Sequence, residues 1–168
     1  TFSVMPKVGT PAAHTRAGKM IEAVHGDLKT TLVLFEEGGN RLVWVTSPLG
    51  IELGAVRNAI VDVLSKTLKI SPEAIVCSGS HNHTVPRLDV NTTTTPAAGT
   101  TERMAWELGQ DFLTKLQNSA VHLSKTLEPV SVEWGVAEEN RIVYNRRGRR
   151  LNGKTYFMRE EDRLVEGE

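Results

Sequence analysis

The run Ala74-Ile75-Val76-Cys77-Ser78-Gly79-Ser80-His81-Asn82-His83-Thr84-Val85-Pro86 decides how the chain is read. Its first four residues are apolar, and a polar stretch closed by a proline comes next. A short apolar run that opens into a polar loop is how a buried strand ends at the rim of a sheet. His81 and His83 stand one residue apart between hydroxyls and a proline. At positions i and i+2 of an extended chain both imidazoles face the same way, toward one cavity. Neutral imidazole is a good zinc ligand and works as a general base near neutral pH.

Upstream, Leu28-Lys29-Thr30-Thr31-Leu32-Val33-Leu34-Phe35 is β-branched and apolar, the pattern of a strand. Glu36-Glu37-Gly38-Gly39-Asn40 is a turn cluster, and Arg41-Leu42-Val43-Trp44-Val45-Thr46-Ser47 is a second strand. The short loop makes the two an antiparallel hairpin. Residues 51–69 take helical period, with Ile51, Ala55, Ile60, Val63, Leu64 and Leu68 on one apolar face. Ser71-Pro72-Glu73 has the order of a capping serine, a first-position proline and a first-turn acid. Residues 74–77 then form a short buried strand. Strand, helix, strand in this order predicts a crossover with parallel pairing. Sites in such folds gather at the carboxyl ends of strands, where His81 and His83 fall.

The flanks are less patterned. Gly9, Pro11, Gly18 and Gly26 break residues 1–26 into loop with one short strand, and His14 and His25 read there as surface or turn histidines. Asn91-Thr92-Thr93-Thr94-Thr95-Pro96-Ala97-Ala98-Gly99 is low in complexity and predicts a mobile loop beside the site. Residues 100–127 form the longest helix, with Ala105, Leu108, Phe112, Leu116, Ala120, Leu123 and Leu127 as its core-facing stripe. His122 reads as a packing residue beside that stripe, and Pro129 as the stop. Val130-Ser131-Val132-Glu133-Trp134-Gly135-Val136 alternates as a strand with one covered face does. The arginine-rich run from Arg141 to Arg150 allows three readings: a phosphate-binding patch, a solvated loop, or one arginine turned inward on an anion or developing oxyanion. Residues 151–168 read as a loop or an interrupted end. The fold class these elements predict is α/β: a mixed sheet of about four or five strands, two long helices packed on it, and site loops at the carboxyl ends of strands.

Composition narrows the function classes. At 168 residues the chain is long enough for one domain with a real core. Its 39% hydrophobic and 24% charged residues fit a soluble globular protein. A formal net charge of zero does not advertise nucleic acid or an acidic membrane as partner. A single cysteine, Cys77, excludes an internal disulfide framework and reads as a small core side chain. That fits a reducing compartment and a disulfide-free secreted protein equally. No apolar stretch approaches the roughly 18 residues needed to span a bilayer, so no transmembrane segment is expected. No signal-peptide pattern opens the sequence.

Three segments together resemble the amino-terminal part of the catalytic domain of the neutral/alkaline, non-lysosomal ceramidase family. Val24-His25-Gly26-Asp27-Leu28-Lys29-Thr30-Thr31-Leu32-Val33-Leu34 is similar to the family's His/Asp-Asp-x-Leu-x-x-x-x-Leu strand. Ser80-His81-Asn82-His83-Thr84-Val85-Pro86 resembles its Thr-His-Thr-His-Ser-Gly-Pro signature, and Tyr144-Asn145-Arg146-Arg147 its downstream Asn-Arg motif. The likeness covers nearly the whole chain. It implies a zinc amidohydrolase of sphingolipid metabolism that splits an N-acyl amide with metal-activated water. On that likeness His81 is a zinc ligand, and His83 and Arg146 are catalytic. Thr84 and Asn145 then bind substrate, an N-acylated small molecule or lipid amide. The chemistry is consistent, since zinc lowers the pKa of bound water to about 7 and the tetrahedral oxyanion needs donors or positive charge.

Two departures stand out. Val85 replaces the family's glycine and adds bulk beside the pocket, and Ser47-Pro48 stands where many members carry an aspartate. The family's other zinc ligands, a His, a Glu and a Tyr, come from further downstream, and no histidine follows His122. Residues 1–168 therefore read as one amino-terminal portion of a larger α/β hydrolytic domain. A second chain or a carboxyl-terminal portion is expected to complete the metal site, and this chain alone to bind zinc weakly and be inactive. The likeness implies a secreted or periplasmic protein. The competing readings are a non-catalytic module binding phosphate or nucleic acid through its basic patch, and a non-catalytic subunit that completes a partner.

Overall fold

Alternation builds the sheet. In β2 (Lys29–Glu37), Thr30, Leu32 and Leu34 turn inward and are buried, while Val33 and Phe35 face out. In β3 (Asn40–Ser47), Val43 and Val45 are buried, and Leu42 and Trp44 face out. The two strands pair antiparallel from Thr31↔Thr46 to Glu37↔Asn40. The turn is tighter than the predicted five residues. Only Gly38 and Gly39 lie between the strands, and both take positive φ (56° and 81°), as a two-residue turn of this hand requires. β1 (Phe2–Ser3) adds antiparallel along the other edge of β2. The structure, a computed structural model, describes residues 1–13, 18–51, 54–80, 82–139, 141, 147–149 and 152–157.

The crossover forms as predicted. α1 (Gly54–Leu68) buries Ile60, Leu64 and Leu68, one residue per turn on one face. A 3₁₀ turn over Pro72–Ala74 leads into β4 (Ile75–Gly79), which runs parallel to β3. Ser71 sits at the cap of that turn but makes no side-chain cap bond. Its hydroxyl is spent on the Glu73 carboxylate, which it holds below its usual range. The order β1-β2-β3-β4 makes a mixed four-stranded sheet. β4 is less buried than its apolar run predicts: Ile75 is in the core, but Val76 is exposed. The reason is that α1 and the second helix pack against each other on one face of the sheet. Val33, Phe35, Leu42, Trp44 and Val76 on the other face stay exposed.

α2 (Thr101–Leu123) starts where the Thr100 hydroxyl accepts from the Arg103 amide at 3.2 Å. It buries Ala105, Leu108, Phe112, Leu116 and Ala120, the predicted stripe. Phe112 meets Phe2 across the layers at 5.7 Å between ring centroids, and the Lys115 ammonium donates to the Ser3 carbonyl at 3.0 Å. The helix stops short of its predicted end. The Lys125 and Thr126 amides bond the His122 and Leu123 carbonyls in a tight turn, so Leu127 and Pro129 lie beyond it. His122 is exposed rather than packed.

The threonine-rich loop is tied to α2 at several points. The Asp89 amide donates to the Ala105 carbonyl at 3.0 Å, the Trp106 indole to Thr92 at 3.0 Å, and the Arg103 guanidinium to Pro96 at 3.3 Å. Gly109 permits the close approach, since a Cβ there would stand 2.1 Å from the Asp89 carbonyl oxygen. Among the described residues no helix is long and apolar enough to cross a membrane.

The chain divides into two compact units, Thr1–Pro129 and Val130–Glu168. In the second, residues 130–136 are irregular rather than the predicted strand. Val130, Val132, Trp134 and Val136 are 76%, 72%, 89% and 86% exposed. Alternation prepares an apolar row, but a strand also needs a ladder partner, and none is present among the described residues. Part of the arginine-rich run does form structure: β5 (Arg147–Arg149) pairs antiparallel with β6 (Thr155–Phe157). Gly148 lies opposite Tyr156, where a Cβ would come within 2.6 Å of the phenol ring.

Candidate functional site

β3 and β4 end side by side, and their last residues anchor the loops beyond them. The Ser80 amide donates to the Ser47 carbonyl at 3.0 Å. The Ser47 hydroxyl is itself buried, 2.8 Å from the Thr30 hydroxyl, and it accepts from the Leu49 amide at 3.2 Å. At the position where an aspartate was expected by likeness, this serine secures the strand end. Cys77, one turn of the pleat earlier, is partly buried, and burial pushes its thiol up against the weaker pull of Arg57. A raised pKa disfavours the thiolate, which suits the core role read from the sequence.

Past Gly79 the chain is no longer strand. The Asn82 side-chain carbonyl accepts from the Thr84 amide at 2.9 Å, an Asx turn that bends residues 82–84. The bend takes in His83 and Thr84, while His81 lies outside the described residues. His83 and Thr84 lie exposed on the bend. His14, His81, Asn145 and Arg146 lie outside the described residues.

Beyond the bend the chain joins a second scaffold. The Ala13 amide donates to the Val85 carbonyl at 3.0 Å and the Arg87 amide to Pro11 at 2.8 Å. On its other side the segment holding Pro11 and Ala13 pairs with residues 19–21, through Ala12 to Lys19 and Ile21 to Thr10, each at 2.9 Å. A cavity of about 410 Å³ opens on these three strips. Ala12, Ile21, Val24, Leu28, Val85 and Pro86 give it apolar walls, and Lys19, Glu22, His25 and Thr84 bring polar groups to it. Val85 is 2% exposed and belongs to the hydrophobic core, so this wall is fixed. Of the substrate-binding residues expected by likeness, Thr84 does line a cavity.

Lys19 and Glu22 were not singled out in the sequence, and His25, read there as a surface or turn histidine, is exposed at this cavity. No periodicity marks them, because the strips they belong to are too short to carry one. The one signal was the likeness in residues 24–34, of which Val24, His25 and Leu28 line this cavity. Zinc normally takes three protein ligands in a catalytic site. Among the described residues no group of three or more His, Cys, Asp or Glu is placed to hold a metal ion, so these residues do not complete a zinc site by themselves. No protein-family model, no curated protein and no solved structure matches this chain.

Proposed function

We propose that the chain is the amino-terminal part of a zinc-dependent amidohydrolase of ceramidase type, cleaving an N-acyl amide. One observation carries this reading. Val24, His25 and Leu28 on the one hand and Thr84, Val85 and Pro86 on the other belong to separate segments of the family likeness, and both sets line one largely apolar cavity. Convergence of distant segments on a cavity is what a ligand site requires.

In this reading His81 is a zinc ligand, and the remaining ligands come from a second chain or a carboxyl-terminal portion. The metal, when bound, supplies a nucleophilic water at neutral pH. The chain's own part is to bind and orient. Val85 and Pro86 exclude water from one side of the substrate, and Thr84 and His25 offer hydrogen bonds beside it. His83, Asn145 and Arg146 act on the scissile amide and its oxyanion.

Elemental analysis of the natively purified protein, with intact mass to identify the chains present, tests this. The expected result is stoichiometric zinc in a preparation holding the completing portion, lost in His81→Ala, with chelator-sensitive hydrolysis of N-acyl amides. A complete preparation without metal would sink the zinc mechanism. Full amidase activity from this chain alone would sink the shared site. A phosphate-binding reading draws on Arg147 and Arg149, which share one face of β5. It requires binding to a polyphosphate that weakens steeply with salt and ignores chelators.

A further inference from the structure

We infer that the outer face of the sheet is a docking surface for a second copy of this chain, which packs on it face to face about a twofold axis crossing the strands. The helices cover the other face, and Val33, Phe35, Leu42, Trp44 and Val76 on this one are 39% to 45% exposed. Register makes them one patch. Phe35 lies opposite Leu42, and Trp44 lies between Val33 and Val76. No charge interrupts it: Thr31, Thr46 and Ser78 border it at one end, and Glu37 and Asn40 at the other. The Trp44 indole already donates to the Ser78 hydroxyl at 2.7 Å. The patch can therefore lose its water without leaving that donor unpaired.

Area and charge identify the occupant. At that exposure the five side chains leave on the order of 400 Å² of apolar surface per copy, within the roughly 300–600 Å² of patches that are often functional. Two copies bury about 800 Å² of it, and at roughly 60% apolar the whole interface comes to about 1,300 Å². That is the lower end of the roughly 1,200–2,000 Å² of specific interfaces, so the dimer is weak and reversible.

Lys29 and Glu37 are exposed at opposite ends of β2, on the face that carries Val33 and Phe35. The Lys29 ammonium is 3.8 Å from Asp27 and mostly exposed, so it stays open to a second carboxylate. Sheets packed face to face lie about 10 Å apart, with strands within roughly 30° of one another. A twofold crossing the strands reverses them, and the Lys29 end of one copy meets the Glu37 end of the other, twice per dimer. A twofold running along the strands would bring like ends together. The charges select the first. In that arrangement the carboxyl ends of β3 point opposite ways in the two copies. The second copy adds nothing to the candidate site, and the inference is independent of the amidohydrolase reading.

The test is sedimentation velocity of the full chain from micromolar to millimolar concentration at low salt. A monomer–dimer equilibrium is expected. Leu42→Lys and Val33→Lys should each weaken it about tenfold or more, because each buries a charge. Trp134→Ser, in the rival exposed stretch outside the sheet, should leave the constant unchanged. Lys29→Glu and Glu37→Lys should each weaken the dimer about threefold. The chain carrying both reversals should recover the parent's affinity, and an equimolar mixture of the two single variants should form a heterodimer tighter than either homodimer. Added salt should shrink these charge effects and leave that of Leu42→Lys. A chain that stays monomeric, a Trp134→Ser variant that dissociates as Leu42→Lys does, or a doubly reversed chain no better than the single variants would each overturn the inference. Thermal unfolding shows whether the two lysine variants fold; where they do not, the charge reversals at the exposed ends of β2 decide.

Discussion

Residues 74–77 and residues 130–136 both read as strands, one from an apolar run and one from alternation. The first becomes part of β4 and pairs with β3 from Val43↔Ile75 to Ser47↔Gly79. The second leaves Val130, Val132, Trp134 and Val136 in solvent. Residue type does not separate them, since both carry valine and other apolar side chains. Delivery does. α1 carries the chain back across the sheet and lays residues 75–79 against an open edge. After α2 ends at Leu123, no described element returns residues 130–136 to an edge. Period fixes which side chains turn together; a strand exists only where a neighbour accepts its backbone.

That contrast can be broken or sharpened, beginning with the largest effect. Phe112→Ala empties a fully buried site that packs on Phe2, and should cost about 3–5 kcal/mol in urea unfolding. A loss below about 1 kcal/mol would mean the core described for the first unit is not what holds it. Gly109→Ala drives a methyl into the Asp89 carbonyl, and should cost about 1–3 kcal/mol despite the roughly 1 kcal/mol that alanine gains as a helix former. An unchanged midpoint would show that the threonine-rich loop lies off the helix.

The third effect depends on pH. Partial burial pushes the Asp89 carboxyl up. The Thr92 hydroxyl, the Thr92 and Asn91 amides and nearby Arg87 outweigh that, and hold it below its usual range. A carboxylate lowered by folding adds stability above its unfolded pKa, about 3.9, and loses it as pH falls through the folded value. Hydrogen-exchange protection of the Asn91 and Thr92 amides should therefore drop below about pH 4, and in Asp89→Asn it should no longer depend on pH in that range. The smallest effect is on the other side of the comparison. Trp134→Ala should change stability by less than about 0.5 kcal/mol, because its ring is exposed. A loss as large as that of Gly109→Ala would show that residues 130–136 have a partner after all, and the contrast would collapse.

Much of the sheet was legible because its rules are local. Leu32, Leu34, Val43 and Val45 alternate, Gly38-Gly39 turns, and Ile60, Leu64 and Leu68 repeat each helical turn. The cavity was not legible. It is assembled from residues 12, 19–25, 28 and 84–86, whose pairing is set by tertiary contact and not by period. The turn at residues 82–84 was not legible either, because it is set by the Asn82 side chain accepting from the Thr84 amide and not by the apolar pattern. Leu127 was misplaced because the helical pattern runs on in the sequence after the helix has closed at Leu123, whereas His122, still within the helix, falls on its exposed side.

The uncovered sheet face has a colloidal consequence. Val33, Phe35, Leu42, Trp44 and Val76 form a sticky patch on a chain whose formal charges cancel at pH 7. With no net charge there is no long-range repulsion to keep copies apart. Near neutrality that face, like the exposed Val130, Val132, Trp134 and Val136, favours contact between copies. Buffers shifted well to either side of neutral, which leave the patch unchanged but charge the whole surface, should raise the concentration at which it stays dispersed.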